Sequence, residues 1–247
     1  MRLFGLIGYP LSHSFSKKYF TKKFEAEDIK DCSYELFPIH DIHELSGLIK
    51  NHPGLKGLNV TVPYKQLVLP HLSYSNIPEG LNACNCIKIE NNKLTGYNTD
   101  VIGFEKSLLP LLQDHHPKAL ILGNGGAALA VQFVLRRLNI DFKTVSRKLH
   151  DGSMLTYGDV TTEIISEHTL IINTTPLGTF PGINECPAIP YDGISENHLL
   201  YDLIYNPEKT KFLTEGEKRG AQIYNGYKML VIQAEESWKI WNDNFIS

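Results

Sequence analysis

Three short stretches carry side chains of the kind that handle a hydroxylated acid. In Asn59-Val60-Thr61-Val62-Pro63-Tyr64-Lys65 the alternation of a strand sets Asn59 and Thr61 on one face, with Lys65 just beyond its end. Asn82-Ala83-Cys84-Asn85 and Asn98-Thr99-Asp100 add short polar groups at strand edges. Amides and hydroxyls of this size hydrogen-bond hydroxyl groups, and a Lys–Asp pair can manage a proton at a carbonyl. Earlier in the chain, Gly8-Tyr9-Pro10-Leu11-Ser12-His13-Ser14-Phe15-Ser16 sets hydroxyls between a first strand and a first helix. There they suit a bound carboxylate or, equally well, simple N-capping.

A second kind of chemistry is written in Gly123-Asn124-Gly125-Gly126-Ala127-Ala128, which follows an apolar strand and opens a helix. The first glycine permits a tight turn, the second lets backbone approach a pyrophosphate, and Ala128 lets the helix pack closely on the strand. The competing reading is a glycine-rich βα turn with no ligand. About twenty residues on, where an NAD enzyme carries an acid for the ribose hydroxyls, stand Ser146, Arg147 and Lys148. A hydroxyl, a guanidinium and an ammonium suit the extra 2′-phosphate of NADP, against the alternative of a solvated basic turn.

The elements that must position these residues alternate between strand-like and helix-like. Residues 3–8, 34–37 and 58–62 read as strands, 16–27 as a helix, and 41–50 as a second helix with a capping box of Asp41 and Glu44. A hairpin is expected around Asn91-Asn92 and a helix over 101–112. After the polar stretch 113–117 a second α/β unit begins, with strands at 119–122, 142–145, 170–172 and 199–203 and a helix at 127–138. An amphipathic helix over 227–241 closes the chain, its Trp238 and Trp241 suited to core packing. Such alternation predicts an open, mostly parallel α/β architecture.

Composition narrows the classes. The chain has 247 residues, with 24 Lys+Arg against 27 Asp+Glu for a net charge of −3, so no basic footprint for nucleic acid is present. The N-terminal apolar run is too short and glycine-broken for a signal peptide, and no run is long enough for a membrane span. A cytoplasmic protein is expected, with Cys32, Cys84, Cys86 and Cys186 as reduced thiols. Cys84 and Cys86 are expected on one strand face as core residues, and no metal site is expected there or at His40 and His43. Lys17, Lys18, Lys22 and Lys23 read as a solvated face of the first helix.

At these motifs the chain resembles the shikimate dehydrogenase family. The resemblance rests on His13-Ser14-x-Ser16, Asn59-Val60-Thr61-Val62-Pro63-x-Lys65, Asn85, Asn98-Thr99-Asp100, the glycine turn and Asn173-Thr174-Thr175-Pro176-Leu177-Gly178. It extends to Asn225-Gly226-x-x-Met229-Leu230-Val231-x-Gln233-Ala234, so it covers nearly the whole chain.

The resemblance implies a two-domain α/β protein. An N-terminal α/β substrate domain, residues 1–100 plus 227–247, would accompany a Rossmann-like NADP-binding domain, residues 101–226. It implies Lys65 and Asp100 as the catalytic pair, and Ser14, Ser16, Asn59, Thr61, Asn85, Tyr205 and Gln233 as substrate contacts, Asp100 also meeting substrate. Gly123, Asn124, Gly125, Gly126, Ala127, Ser146, Arg147, Lys148, Leu203 and Gly226 would hold NADP. The activity implied is reversible NADPH-dependent reduction of 3-dehydroshikimate to shikimate, on the route to chorismate and the aromatic amino acids. A relative that also takes quinate, or a non-catalytic NADP-binding sensor, is the alternative. Two departures stand out: Lys17 replaces the family's proline, and residues 148–158 lack the pattern of the helix that the family commonly has there.

Overall fold

The computed structural model describes residues 1–11, 14–149 and 154–243. The chain divides into two compact units, residues 1–102 with 233–247 and residues 103–232.

The first unit is built on β1 (Arg2–Gly8), α1 (Phe15–Ala26), β2 (Cys32–Pro38), α2 (Glu44–Asn51) and β3 (Leu55–Val60). Next come the single-turn α3 (Tyr64–Leu67), β4 (Tyr74–Ser75), β5 (Cys86–Glu90) and β6 (Lys93–Tyr97). Helix α4 (Thr99–Leu108) carries the chain into the second unit. The sheet order is β2-β1-β3-β5-β6-β4, with β1 parallel to β2 and β3, and β5 antiparallel to β3 and β6. Glu90 pairs with Lys93 across Asn91 and Asn92, whose φ values of 49° and 61° are those of a type I′ hairpin turn. Helix α2 starts three residues later than the sequence implies. Glu44 still accepts from the Asp41 N–H at 2.9 Å, but Asp41 accepts from His43, so a turn precedes the helix.

The second unit contains β7 (Lys118–Leu122), α5 (Gly126–Arg137), β8 (Asp141–Ser146), β9 (Leu155–Thr156), α6 (Thr162–Glu167) and β10 (Leu170–Asn173). It continues with β11 (Leu199–Asp202), α7 (Lys211–Glu217), β12 (Gln222–Tyr224) and α8 (Tyr227–Trp241), which returns the chain to the first unit. All six strands are parallel, in the order β12-β11-β10-β7-β8-β9. The central strands β7, β10 and β11 read as apolar runs buried on both faces, and Leu120, Ile121, Leu122, Ile171 and Ile172 are fully buried. Residues 148–158 form no α-helix among the described ones; His150, Asp151, Gly152 and Ser153 lie outside the description, and the short α6 follows later.

Alternate strand residues of the first unit feed two core clusters, Phe4 and Leu6 in one and Ile7 in the other. Trp241 of α8 stacks on Phe4 with ring centroids 4.8 Å apart, and its Nε1 donates to the Ile87 carbonyl at 3.0 Å. Gly57 makes room for it, since a Cβ there would come within 2.2 Å of that nitrogen. The two cysteines do not share a strand face. Strand β5 begins only at Cys86, and Cys84 lies before it, so their sulfurs enter different clusters. The lysine face of α1 also needs correcting: the Lys23 side chain is only 9% exposed and pairs with Glu27 and with Glu235 of α8. Burial pulls the Lys23 ammonium down, and the two carboxylates outweigh it and raise its pKa.

Candidate active site

Lys65 sits on the single turn α3, directly after β3 has ended, and Asp100 is the second residue of α4. Asn98 starts that helix: its Oδ1 accepts the Val101 N–H at 3.1 Å while its Nδ2 donates to the Ala83 carbonyl at 2.7 Å. The Lys65 carbonyl accepts the Cys84 N–H at 2.7 Å, so the 82–85 segment ties both turns together. The Lys65 Nζ then lies 2.6 Å from Asp100 Oδ2, with the side chains 15% and 11% exposed. A pair this enclosed keeps a proton donor beside a fixed anion with little competition from water.

Asn59, near the end of β3, is buried, as are Asn85, Thr99, Gln233 and Ser237. Asn85 Oδ1 accepts the Thr99 N–H at 2.6 Å and its Nδ2 donates to Thr99 Oγ1 at 3.0 Å. Thr99 Oγ1 also reaches Gln233 Oε1 at 3.5 Å and Ser237 Oγ at 3.2 Å. Thr61 lies one residue past β3, half-buried, so it follows the strand instead of belonging to it. Gly8 gives it space, because a Cβ at Gly8 would come within 2.4 Å of Thr61 Cγ2.

Ser14 occupies the N-cap position of α1, yet its side chain caps nothing. Its hydroxyl is buried and has no hydrogen-bond partner among the described residues. A buried hydroxyl left so is costly, which argues for a ligand group in place of the capping role. Ser16 is half-buried and faces the Tyr34 phenol. Ser12 and His13 lie outside the described residues. Lys17 is paired with Glu35 of β2 at 2.7 Å, which occupies its charge on the neighbouring strand.

In the second unit, Gly123 has φ +107°, a conformation that favours glycine, and a Cβ there would come within 2.7 Å of Thr174 Oγ1. Gly125 is the N-cap of the twelve-residue α5, with no side-chain cap, and a Cβ on it would meet nothing within 4 Å. Open space thus lies beside Gly125 at the start of α5, while Ala128 is fully buried. This is a cradle that a pyrophosphate fits. Ser146 ends β8 with its hydroxyl donated to the Lys148 carbonyl. Arg147 and Lys148 are exposed and make no ion pair among the described residues. With no acid at the end of β8, the donors present fit a phosphate on the adenosine ribose.

Gly226 is buried flat against Leu203, where a Cβ would come within 2.1 Å of the Leu203 carbonyl oxygen. Tyr205 is half-buried in this unit, whereas the other proposed substrate contacts belong to the first.

Four polar side chains were not singled out by sequence reasoning. Tyr34 and Ser237 both hold Asn59, at 2.9 and 3.0 Å. Ser237 falls one helical turn after Gln233, which is the only signal that could have found it. Asp202, fully buried at the end of β11, accepts from Asn173 Nδ2 at 3.0 Å, Thr210 Oγ1 at 2.6 Å and the Ile204 N–H at 3.0 Å. Burial raises its pKa to about 6, against those three donors, which pull it down. Tyr157, next after β9, keeps a buried hydroxyl without a partner among the described residues, and the Arg147 charge acts on it. Among the described residues no three of His, Cys, Asp and Glu gather as a metal-binding group.

An all-parallel sheet with a phosphate-type glycine turn, together with a mixed-sheet unit whose helices α3 and α4 bring an enclosed Lys–Asp pair together, defines a two-unit α/β protein. Residues 6–87 match the model of the shikimate dehydrogenase substrate binding domain. The NADP(+) shikimate dehydrogenase of Clostridium beijerinckii is 38% identical over 98% of this chain and 93% of its own length. The crystal structure of shikimate dehydrogenase 1 from Peptoclostridium difficile is 36% identical, with TM-score 0.84 over 100% of this chain and 94% of that one. That of the Thermus thermophilus enzyme, in complex with NADP(H) and shikimate, is 28% identical with TM-score 0.86, covering 98% and 94%. The chain belongs to the shikimate dehydrogenase family.

Proposed function

We propose that this protein catalyses the reversible, NADP-dependent interconversion of shikimate and 3-dehydroshikimate. The observation that carries the reading is the enclosed Lys65–Asp100 pair at 2.6 Å, set among buried amides and hydroxyls in the unit matched by the family's substrate-binding model. The Clostridium beijerinckii relative is named for this activity, and the Thermus structure holds both ligands. When bound, NADP(H) supplies or accepts the hydride.

The first unit binds shikimate and the second binds NADP. Ser14 and Ser16 donate to the substrate carboxylate, supported by the buried hydroxyl of Ser14, which has no partner among the described residues. Asn59, Thr61, Asn85 and Gln233 hold the ring, with Tyr205 as a further contact. In the direction of reduction, negative charge develops on the carbonyl oxygen. Lys65 Nζ neutralises that charge and passes it a proton, while Asp100 fixes the lysine and accepts from a substrate hydroxyl. In oxidation Lys65 takes the proton back. Gly123, Asn124, Gly125, Gly126 and Ala127 cradle the pyrophosphate, Ser146, Arg147 and Lys148 meet the 2′-phosphate, and Leu203 and Gly226 line the nicotinamide.

A cytoplasmic setting goes with this reading, supported by the buried thiols of Cys32, Cys84 and Cys86, which burial holds protonated. No helix among the described residues is long and apolar enough to cross a membrane. The test is the absorbance of NADPH when 3-dehydroshikimate is added to the purified protein: steady consumption is expected, and none would overturn the proposal.

A further inference from the structure

Asn59 is one of the amides assigned above to the substrate ring, and its surroundings settle which of its two ends can serve a ligand. Its Nδ2 lies 3.3 Å from the Asn85 backbone carbonyl, which can only accept. The same nitrogen lies 3.0 Å from Ser237 Oγ, and Ser237 has its own proton directed to the Gln233 carbonyl one turn back, at 2.9 Å. Turning the amide over would press Asn59 Oδ1 against the Asn85 carbonyl, two acceptors with no hydrogen between them. The orientation is therefore fixed by the backbone. Oδ1 faces Tyr34, whose hydroxyl donates to it at 2.9 Å.

Tyr34 is held for this task. It is 3% exposed on β2 and stacks on Phe20 with centroids 4.6 Å apart and planes 14° from parallel. Both Nδ2 hydrogens of Asn59 are engaged inside the protein, and Tyr34 takes one of the two acceptor positions on Oδ1. What remains for a ligand is a single acceptor.

Resting on that substrate assignment, we propose that Tyr34 and Ser237 are positioning residues that make Asn59 acceptor-only toward the substrate. Asn59 then meets a ring hydroxyl that donates its proton. It cannot serve the ketone oxygen, which falls to the donors, Lys65 among them. Both shikimate and its ketone keep the non-reacting hydroxyls, so this contact serves the two substrates alike. It fixes ring orientation and takes no part in the proton transfer.

The test is steady-state kinetics of Tyr34→Phe, which keeps the stacked ring and removes only the hydroxyl. Loosening the Asn59 contact, together with Ser16, whose hydroxyl also meets the Tyr34 phenol, should raise KM by roughly three- to tenfold for shikimate and for 3-dehydroshikimate alike. Both kcat and the KM for NADP should stay within about twofold of the parent. Inhibition by shikimate analogues in which each non-reacting hydroxyl is replaced singly by fluorine, an acceptor only, locates the contact. One of them should bind the parent and Ser237→Ala, which leaves Ser16 untouched, equally, because its loss has already been taken. Ser237→Ala repeats the same split and keeps the proposal open to failure if Tyr34→Phe does not fold.

A lowered melting temperature with unchanged KM values would make Tyr34 merely structural and overturn the proposal. So would an unequal effect on the two substrates. A parent protein without shikimate turnover would overturn both the functional reading and this inference, whereas an active parent with an indifferent Tyr34→Phe overturns this inference alone.

Discussion

The two units build their candidate sites by opposite means. In the first unit the groups are side chains that hold one another: Asn59, Asn85, Thr99 and Ser237 are buried and mutually hydrogen-bonded, and Lys65 is clamped by Asp100. In the second unit the cradle is backbone, made by Gly123 in a left-handed conformation and by Gly125 at an uncapped helix start, with exposed Arg147 and Lys148 on the following strand end. A polyhydroxylated ring needs several directional contacts, and preorganised side chains provide them with little loss of ordering entropy on binding. A pyrophosphate needs a field and a row of N–H groups, which a helix terminus supplies whatever its side chains. Substitutions in the first unit should therefore act on one specific contact, and those in the second on loop shape or on charge.

The largest effect expected short of removing the lysine is from Asp100→Asn. It keeps the size of the side chain but loses the charge that holds Lys65, so kcat should fall by roughly 10²- to 10³-fold with weaker shikimate binding. A variant impaired only in NADP binding would break the division between the units.

Asp202→Asn probes a buried carboxylate that ties together three donors in the second unit. Its pKa near 6 when folded exceeds the ordinary 3.8, so the folded state holds the extra proton between those values. Its contribution to stability is therefore greatest at low pH and declines as pH rises from about 4 to 6, by about 3 kcal/mol in all. Denaturant titrations of parent and variant across that range should show this slope in the parent and lack it in Asp202→Asn. The variant should also lose about 1 to 3 kcal/mol near neutrality, since an amide cannot accept from both Thr210 and Asn173 as the carboxylate does. Equal slopes in the two proteins would show that the three donors cancel the effect of burial.

Ser14→Ala should raise the KM for shikimate, with loss of a hydrogen bond to a charged group worth about 1.5 to 3 kcal/mol. Folding stability should hold or rise, because the buried hydroxyl has no partner to lose among the described residues. Stability that falls with KM unchanged would restore the capping reading. The smallest effect is reserved for Arg147→Ala, an exposed side chain screened by water. NADP affinity measured by calorimetry should drop about tenfold while NAD affinity stays level. Equal losses would mean that Arg147 shapes the loop.

The fold was legible wherever local chemistry had one solution. Asn91-Asn92 allowed only a left-handed hairpin turn, the glycine turn had to join β7 to α5, and the periodicity of 227–241 gives α8 its observed bounds. Periodicity failed where elements are too short to show it, as in α3, β9 and β12. It also failed where tertiary pairing decides the start of a strand, as at Cys84 and Cys86. Ser146, expected to meet cofactor, has its hydroxyl engaged with the Lys148 carbonyl, a local bond that residue type alone does not forecast. The Lys–Asp pair and the amides stood out by residue type. Their supports did not, because Tyr34 and Ser237 reach Asn59 across 25 and 178 residues of chain and look like ordinary core and helix positions. Lys23 was misjudged for the same reason: one of the carboxylates that occupy it sits on α8.

The claim that Lys65 carries the proton step is tested most directly by comparing Lys65→Ala with the parent in one preparation, reading NADPH formation from shikimate beside shikimate binding by calorimetry. The account predicts a folded variant whose turnover falls by roughly 10²- to 10⁴-fold while its affinity for shikimate changes far less. Turnover equal to the parent's, or a loss of binding as large as the loss of rate, would contradict it.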